Sequence, residues 1–259
     1  DRAPVRFAGR RLFVAAGGYS TPRLVLESRD QYASEVIMLE SQYFLIPILQ
    51  WRSFPHAATE RLTTLSQVCF RLRDPSFGAR DVHLLLYTYN PLYPVVLKRT
   101  PARFVPGLPR ALVARLSSLQ GYLHSDVSPR FALSLRRNSA GPATLVVEGR
   151  VNPESARVVR RVEARVRSLS RFLRATPVPF MTKLGAPGKS YHSGGTFPMK
   201  RDPGPDDTDL LGRPAGHARV HLVDASVFPA IPATNMTLTL MANAYRIAAA
   251  SVSLGREGP

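Results

Sequence analysis

RVHLVDASVFPAIPATN, residues 219–235, carries the clearest indication of the fold class. Its first five residues are mostly branched and apolar and predict a short strand, which ends at Asp224. Two prolines lead on to Asn235, and the apolar segment from about Met236 to Ser253 predicts a helix. A strand that passes through a turn into a long helix is typical of an α/β domain.

A second junction of this kind lies near the start of the chain. Residues 11–16 (RLFVAA) predict a buried strand, the Gly17-Gly18 pair a tight turn, and residues 21–29 a helix capped by Thr21 or Ser20. Such a strand–glycine–helix junction suits a nucleotide-binding architecture. Because so short a strand needs a sheet around it, we expect further sequence before it.

The middle of the chain carries segments rich in Val, Leu, Phe, Tyr and Thr, broken by Pro, Gly and Asn, which predict strands. Successive strands without intervening helices imply an antiparallel sheet. Asn152 is expected to cap a helix, because apolar residues then recur at helical spacing through Arg174. The predicted strands are residues 62–73, 81–90, 121–126, 130–137 and 143–151, with a hairpin turn at 139–142 and a short helix over 110–118.

The formal net charge of +17 raises nucleic acids and anionic membranes as partners. The 31 Arg and four Lys residues are scattered, with the densest stretch at 157–174 on the predicted helix. No helix-turn-helix, zinc-finger or aromatic–basic RNA motif accompanies the charge, which argues against nucleic-acid binding. Strongly salt-dependent binding to nucleic acid or anionic lipid would support this alternative.

Two further features concern the interior. Cys69 is the only cysteine, which excludes an internal disulfide and a cysteine metal cluster, and its apolar neighbours predict a buried thiol. The longest apolar run, residues 43–51 (YFLIPILQW), is too short to span a bilayer and contains Pro47. It leaves open an exposed hydrophobic lip and, with it, peripheral contact with a membrane.

Three motifs then follow one another toward the C-terminus: SYHSGGTFPM at 190–199, VDASVFP at 223–229 and PATN at 232–235. They resemble the His-x-x-Gly-Thr-x-x-Met, Val-Asp-Ala-Ser-x-x-Pro and Pro-x-x-Asn segments of the glucose–methanol–choline (GMC) oxidoreductases. Upstream, AAGGYSTPRL at 15–24 resembles the second flavin-domain signature of the same family. The resemblance covers both ends of the chain, and the middle fits by architecture.

The resemblance implies an enzyme that oxidises an alcohol group to a carbonyl, with a hydride passing to N5 of FAD. His192 would be the base or the hydrogen-bond partner for the alcohol proton, which suits an imidazole because its ordinary pKa lies near neutrality. Asn235 would orient the substrate oxygen. Judged by residue type alone, a histidine before two glycines is more often a loop residue, and Asn235 a helix cap.

The resemblance also implies cofactor contacts. Asp224 would lie by the ribityl–pyrophosphate part of FAD. The amides that open the final helix would point at the N1–C2 edge of the flavin, which gains negative charge on reduction. The implied cofactor-binding residues are Gly17, Gly18, Ser20, Thr21, Asp224, Ala225, Met236 and Thr237.

No metal site is implied, because the histidines lack ligand spacing with carboxylates or cysteine. His217 and His221 flank the Asp224 motif but match no functional position. We interpret both as surface or edge-strand residues.

The expected fold class is therefore α/β and α+β: an incomplete FAD-binding α/β domain plus an antiparallel-sheet substrate domain backed by helices. Residues 1–30 and 181–259 would form the FAD-binding part, and residues 31–180 the substrate-binding domain.

The sequence also departs from the family. No Gly-x-Gly-x-x-Gly follows a first strand, so the loop that cradles the FAD pyrophosphate is missing. We expect the N-terminal FAD-binding half on the same, longer polypeptide or, less favoured, on a separate one, and no activity from this chain alone. The alternative is a non-catalytic remnant or interaction module. Residues 28–30 replace the usual Ser-Gly-Ile-Gly, and Lys200 a usual glycine, which indicates a divergent branch. Sugar-like and sterol-like alcohols both stay open.

Overall fold

The computed structural model describes residues 5–32, 34–59, 66, 68–77, 80–89 and 92–254. As predicted, the fold mixes helices with antiparallel sheets and one short parallel pair. None of the helices in these ranges is long and apolar enough to cross a membrane.

The helices are α1 (Ser20–Ser28), α2 (Leu92–Leu97), α3 (Leu108–Val113), α4 (Pro153–Ser168), α5 (Ser170–Leu173) and α6 (Thr237–Leu254). The strands are β1 (Leu12–Val14), β2 (Val36–Glu40), β3 (Tyr43–Gln50), β4 (Val68–Leu72), β5 (Val82–Tyr87), β6 (Leu116–Tyr122), β7 (Arg130–Arg136), β8 (Thr144–Arg150), β9 (Ala175–Pro177), β10 (Lys183–Leu184), β11 (Ser193–Gly194) and β12 (Val220–Leu222).

The chain divides into two compact units, and each encloses a hydrophobic core of its own. Unit 1 consists of Asp1–Glu40, Pro129–Arg150 and Tyr191–Pro259, and unit 2 consists of Ser41–Ser128 and Val151–Ser190.

These bounds differ from the predicted ranges 1–30, 31–180 and 181–259. Strand β2 and the β7–β8 hairpin fall in unit 1, because β2 pairs with β11 on one edge and with β7 on the other. The assignment of the predicted ranges to cofactor and substrate stays a prediction.

Unit 1 contains two sheets. Strands β1 and β12 run parallel, with Leu12 opposite Val220 and Val14 opposite Leu222. The second sheet is antiparallel, in the order β11-β2-β7-β8. Apolar side chains from both sheets, α1 and the segments before α6 form the core; those with no exposed surface are Leu26, Met38, Leu133, Phe197, Val227, Leu222 and Ile231.

Unit 2 is built on a six-stranded antiparallel sheet, in the order β10-β3-β6-β5-β4, with β9 also paired to β3. Helix α4 buries Val158, Val159, Val162 and Val166 in the core of this unit, which is the stripe that its helical spacing predicts. The predicted cap is confirmed, since the Asn152 side chain accepts the Glu154 N–H at 2.9 Å.

The apolar run 43–51 does not form an exposed lip. It is strand β3, and Phe44, Ile46 and Ile48 lie in the core of unit 2. Pro47 is tolerated in this strand because it lies between the short partners β9 and β10. Its carbonyl accepts the Val178 N–H at 2.9 Å, so the missing N–H falls at this loosely paired edge and not against β6.

Several local predictions needed correction. The strand predicted at 121–126 occupies Leu116–Tyr122, because pairing with β3 and β5 extends it backward, and the preceding helix ends at Val113. Strand β1 is present but not buried, since Leu12 and Phe13 are 57% and 41% exposed. Cys69 is exposed, because β4 is the edge strand of its sheet. Residues 62–65 and 67 of the predicted strand 62–73 lie outside the described residues.

Candidate active site

The Asp224 carboxylate joins two segments that lie far apart in sequence. Asp224 follows β12 and caps the short 3-10 turn Ala225–Val227, with Oδ1 accepting the Ser226 N–H at 2.9 Å. Oδ2 accepts the Gly17 N–H at 2.8 Å and the Thr21 hydroxyl at 2.5 Å. Asp224 is only 5% exposed, so these donors replace the water that a buried carboxylate loses. The turn after β1 is thereby attached to the end of β12.

This meeting point is where α/β sheets bind their ligands. Because β1 and β12 are parallel, their carboxyl ends lie at the same edge of the sheet. Gly17 there has a φ of +91°, which glycine adopts without strain. Nothing lies within 4 Å of the position that a Cβ would take at Gly17, whereas a Cβ at Gly18 would lie 3.2 Å from the Ser193 Oγ. Gly17 therefore leaves open space beside a main-chain amide.

Thr21 does not cap α1, and neither does Ser20. The helix begins at Ser20 after Tyr19, without a side-chain cap. The Thr21 Oγ1 accepts the Ala16 N–H at 3.2 Å and donates its own proton to Asp224. Thr21 is fully buried and Ser20 is exposed. The predicted cap was wrong because a partner 203 residues away takes the hydroxyl.

The segment that carries His192 runs beside the segment that carries Asp224. Three N–H groups of residues 195–199 donate to the carbonyls of residues 225–227, each at 2.8 Å. The approach is close, since a Cβ at Gly194 would lie 2.3 Å from the Ala225 carbonyl oxygen. No side chain fits in that space, so the close approach of the two segments explains why the second residue after His192 is a glycine.

The two predicted catalytic residues lie at different points of unit 1. His192 is half-buried and immediately precedes β11, which pairs with β2. Asn235 is exposed, two residues before α6 begins at Thr237. Met236 is buried, and its carbonyl accepts the Leu240 N–H at 2.8 Å, as the last residue before a helix should.

The hydrogen bonds bring together only part of the predicted set. They join Gly17, Thr21 and Asp224 directly, and Ala225 through its carbonyl to the His192 segment. Within the described residues, the bonds that link these segments do not involve Asn235, Met236 or Thr237. Those three are positioned by the chain that leads from the Asp224 turn into α6.

Two residues beside this site were missed or misinterpreted in the sequence. Tyr19 follows the glycine turn, and partial burial, together with the Glu40 carboxylate, raises the pKa of its phenol above the ordinary value. Tyr19 thus stays a protonated donor at neutral pH. His221 is not a surface residue: it is 3% exposed, stacks on Phe13 at 5.1 Å, and donates from Nδ1 to the Leu211 carbonyl at 2.9 Å. Alternation along β12 gives no signal for this, because the neighbouring Leu222 is buried as well.

Among the described residues, no group of three or more His, Cys, Asp or Glu side chains is arranged to hold a metal ion.

Two comparisons with known proteins found a match. Residues 136–244 match a family model for the C-terminal region of proteins described as GMC oxidoreductases. The crystal structure of pyridoxine 4-oxidase from Mesorbium loti has a similar fold, with a TM-score of 0.59 and 16% sequence identity. The similarity covers 92% of this chain and 50% of that structure, so this chain spans about half its length. No curated protein sequence matches the chain.

The family match contains the His192 segment, Asp224 and Asn235, and the shared fold extends over nearly the whole chain. Residues 136–244 are therefore similar to the C-terminal region of GMC oxidoreductases, and the fold of the chain is similar to about half of an oxidase structure.

Proposed function

We propose that this chain is the C-terminal part of an FAD-dependent enzyme that oxidises an alcohol group to a carbonyl. The observation that carries the proposal is the position of Asp224, which ties the glycine turn, Thr21 and the His192 segment to the carboxyl edge of a parallel strand pair. An alcohol oxidation needs a cofactor and a proton acceptor side by side, and this edge supplies candidates for both.

The described residues fit FAD in two respects. Gly17 leaves open space at the carboxyl edge of the strand pair, with no side chain in the way. Helix α6 spans 18 residues, and its first turn is exposed and carries no acidic side chain, so its free N–H groups favour a partner that gains negative charge. Gly17, Gly18 and Thr21, with Asp224 and Ala225, would hold the ribityl–pyrophosphate part, and Met236 and Thr237 the flavin edge. When bound, FAD supplies the acceptor for the hydride of the alcohol carbon.

The chain itself would handle the proton. A neutral His192 imidazole can accept the proton of the substrate hydroxyl, because imidazole titrates near neutral pH. The Asn235 carboxamide can donate to the same oxygen and hold it in place, but it cannot act as a base. The substrate is thus proposed to be an alcohol. The apolar run 43–51 is buried in a sheet, so it gives no reason to prefer a sterol-like over a sugar-like alcohol.

We further propose that an N-terminal FAD-binding half of a longer enzyme completes unit 1. A two-stranded parallel sheet is rare and needs cover on its faces, yet within the described residues β1 pairs only with β12, and Leu12 and Phe13 are exposed. A third strand at the free edge of β1 would correct both defects.

Helix α6 supports the same proposal. Apolar side chains that are 47–79% exposed form a stripe along one face, at spacings of three, four and seven residues: Leu238, Met241, Tyr245 and Val252. A stripe of this kind is typical of a helix face that packs against another element. The absent Gly-x-Gly-x-x-Gly loop is the element that the flavin pyrophosphate would require.

The decisive experiment measures flavin absorbance of the protein expressed from its complete reading frame, followed by bleaching under anaerobic conditions with a panel of alcohols. We expect a yellow protein that one class of alcohols bleaches. His192→Ala and Asn235→Ala should keep the flavin but slow its reduction about 100-fold or more, in the range of general acid–base catalysis.

His217→Ala is the matched control, because His217 is half-buried in the same unit and has no proposed role. It should bleach at the wild-type rate. A protein that binds flavin and is not bleached by any alcohol would favour a different substrate. A complete frame that binds no flavin would overturn the proposal and favour the non-catalytic remnant.

A further inference from the structure

Two cavities of the described residues lie in unit 2, whereas every residue of the candidate active site lies in unit 1. One cavity has a volume of about 530 Å³ and the other about 490 Å³. They share Ser53, Pro55 and Ala114 as walls, so they form one cleft with two lobes. Each lobe is within the size range of small-molecule sites. The proposed oxidation uses none of these residues.

The cleft is built on fixed elements. Its floor is the end of the sheet, at Gln50 of β3 and Leu116 of β6, and its walls are residues 51–57 and the α2–α3 region. The Phe54 N–H donates to the Ala114 carbonyl at 2.7 Å, and the Arg115 guanidinium donates to the carbonyls of Gln50 and Trp51. The loop that forms one wall is thereby attached to the opposite wall, so the cleft exists before a ligand binds.

The lining combines an apolar body with cations. Phe54, Pro55, Pro94, Pro109 and Leu116 supply apolar surface. The charged or titratable side chains of the described lining are all basic: Arg52, His56, Lys98, Arg110 and Arg115. Cations that face one cleft without a carboxylate repel one another, and a bound anion relieves that repulsion.

A buried polar group also lines the cleft. Ser117 is 3% exposed, and its hydroxyl has only two contacts at 3.5 Å, with the Gln50 Nε2 and the Thr88 carbonyl. A contact of that length is at the limit of a hydrogen bond, so the hydroxyl keeps capacity for a stronger partner.

The charge of the whole unit points the same way. Unit 2 contains 19 Lys and Arg against six Asp and Glu, a net charge of +13, whereas unit 1 contains 16 against 12, a net charge of +4. The excess positive charge is thus concentrated in the unit that holds the cleft.

We infer that this cleft is a binding site for an organic anion with an apolar body, such as a molecule with a carboxylate or phosphate group on a hydrocarbon skeleton. The prolines, Phe54 and Leu116 contact the skeleton. Arg52, Lys98 and Arg110 neutralise the anionic group. The site does not depend on flavin or on His192.

The test is a calorimetric titration of the full chain without flavin, first with decanoate and then with decanamide, which has the same skeleton without the charge. We expect saturable binding of decanoate, weakened by salt, and an affinity for decanamide lower by about tenfold or more.

Variants then locate the anion. Arg52→Gln with Arg110→Gln should weaken decanoate binding about tenfold, because both charges line the cleft. Arg160→Gln with Arg171→Gln removes the same charge from exposed positions on α4 and α5 and should change the affinity less than twofold. Ser53→Phe, which fills the wall common to both lobes, should abolish binding of either probe.

Equal affinity for decanoate and decanamide would overturn the inference, as would an equal loss in the control pair. So would the absence of any heat of binding with decanoate up to its solubility limit. None of these outcomes bears on the flavin chemistry, because the titration is repeated with His192→Ala and should give the same affinity.

Discussion

The Thr21 hydroxyl donates to the Asp224 Oδ2 at 2.5 Å, across 203 residues of sequence, and both side chains are buried. This bond attaches the start of α1 to the end of β12, and the Gly17 N–H donates to the same oxygen. The position of the whole candidate site depends on this carboxylate, so the bond is the first to test.

Thr21→Val keeps the side-chain shape and removes the hydroxyl. It leaves the Ala16 N–H without its acceptor and Asp224 with one donor fewer. We expect the free energy of unfolding to fall by about 2 kcal/mol, measured by urea denaturation followed by circular dichroism. Ser20→Ala, at the exposed neighbouring position, is the control and should change it by less than about 0.5 kcal/mol. Equal effects would mean that the bond does not stabilise unit 1.

The double variant Thr21→Val/Asp224→Asn tests whether the two residues act together. If the hydroxyl and the carboxylate stabilise each other, the two single losses should not add, and the cycle should give a coupling of about 1 kcal/mol or more. The same unfolding measurement is made on the wild type, the two single variants and the double variant. Strict additivity would contradict the hydrogen bond.

Gly194→Ala tests the close approach of the two motif segments. A Cβ there would lie 2.3 Å from the Ala225 carbonyl oxygen, so the ladder between residues 195–199 and 225–227 must separate. We expect the free energy of unfolding to fall by about 3 kcal/mol or more, which is the upper end of the loss that overpacking usually causes. Gly9→Ala is the matched change, because its nearest neighbour is at an ordinary 3.4 Å, and it should be almost neutral.

Asp81 should give the acid-dependent part of stability in unit 2. Hydrogen bonds from the Arg73 and Arg71 side chains lower its pKa to about 2. Because the folded-state pKa lies below that of the unfolded chain, the stabilisation is complete above about pH 4 and is lost as the pH falls toward 2. The difference in melting temperature between wild type and Asp81→Asn should therefore shrink over that interval. Glu148→Gln, at an exposed position of β8, should show no such trend.

Cys69 should react without unfolding. It is exposed on the edge strand β4, so a disulfide reagent such as dithionitrobenzoate should titrate one thiol per chain under native conditions. The yield should equal that in denaturant, and Cys69→Ser should give none. A thiol that reacts only in denaturant would contradict the exposed position and support the buried thiol that the sequence predicted.

Local features of the fold could be predicted from the sequence because they depend on neighbours along the chain. Asn152 caps α4 through the amide two residues away, and Val158–Val166 bury the face that helical spacing gives them. The β7–β8 hairpin likewise follows from its short turn, where Gly141 has a φ of +84°. The motifs around His192 and Asp224 were identified for the same reason, since each is a short sequence motif with fixed spacing between its residues.

From the sequence alone one can therefore predict most element types, the family resemblance and the residues of the candidate site. Only the tertiary structure decided which partner each residue meets. In the folded protein the Thr21 hydroxyl donates to Asp224 and does not cap a helix. His221 and half of Tyr43–Gln50 are buried, and Cys69 is exposed on an edge strand. The physical reason is that these outcomes depend on contacts between segments tens to hundreds of residues apart, and strand order and pairing register set those contacts.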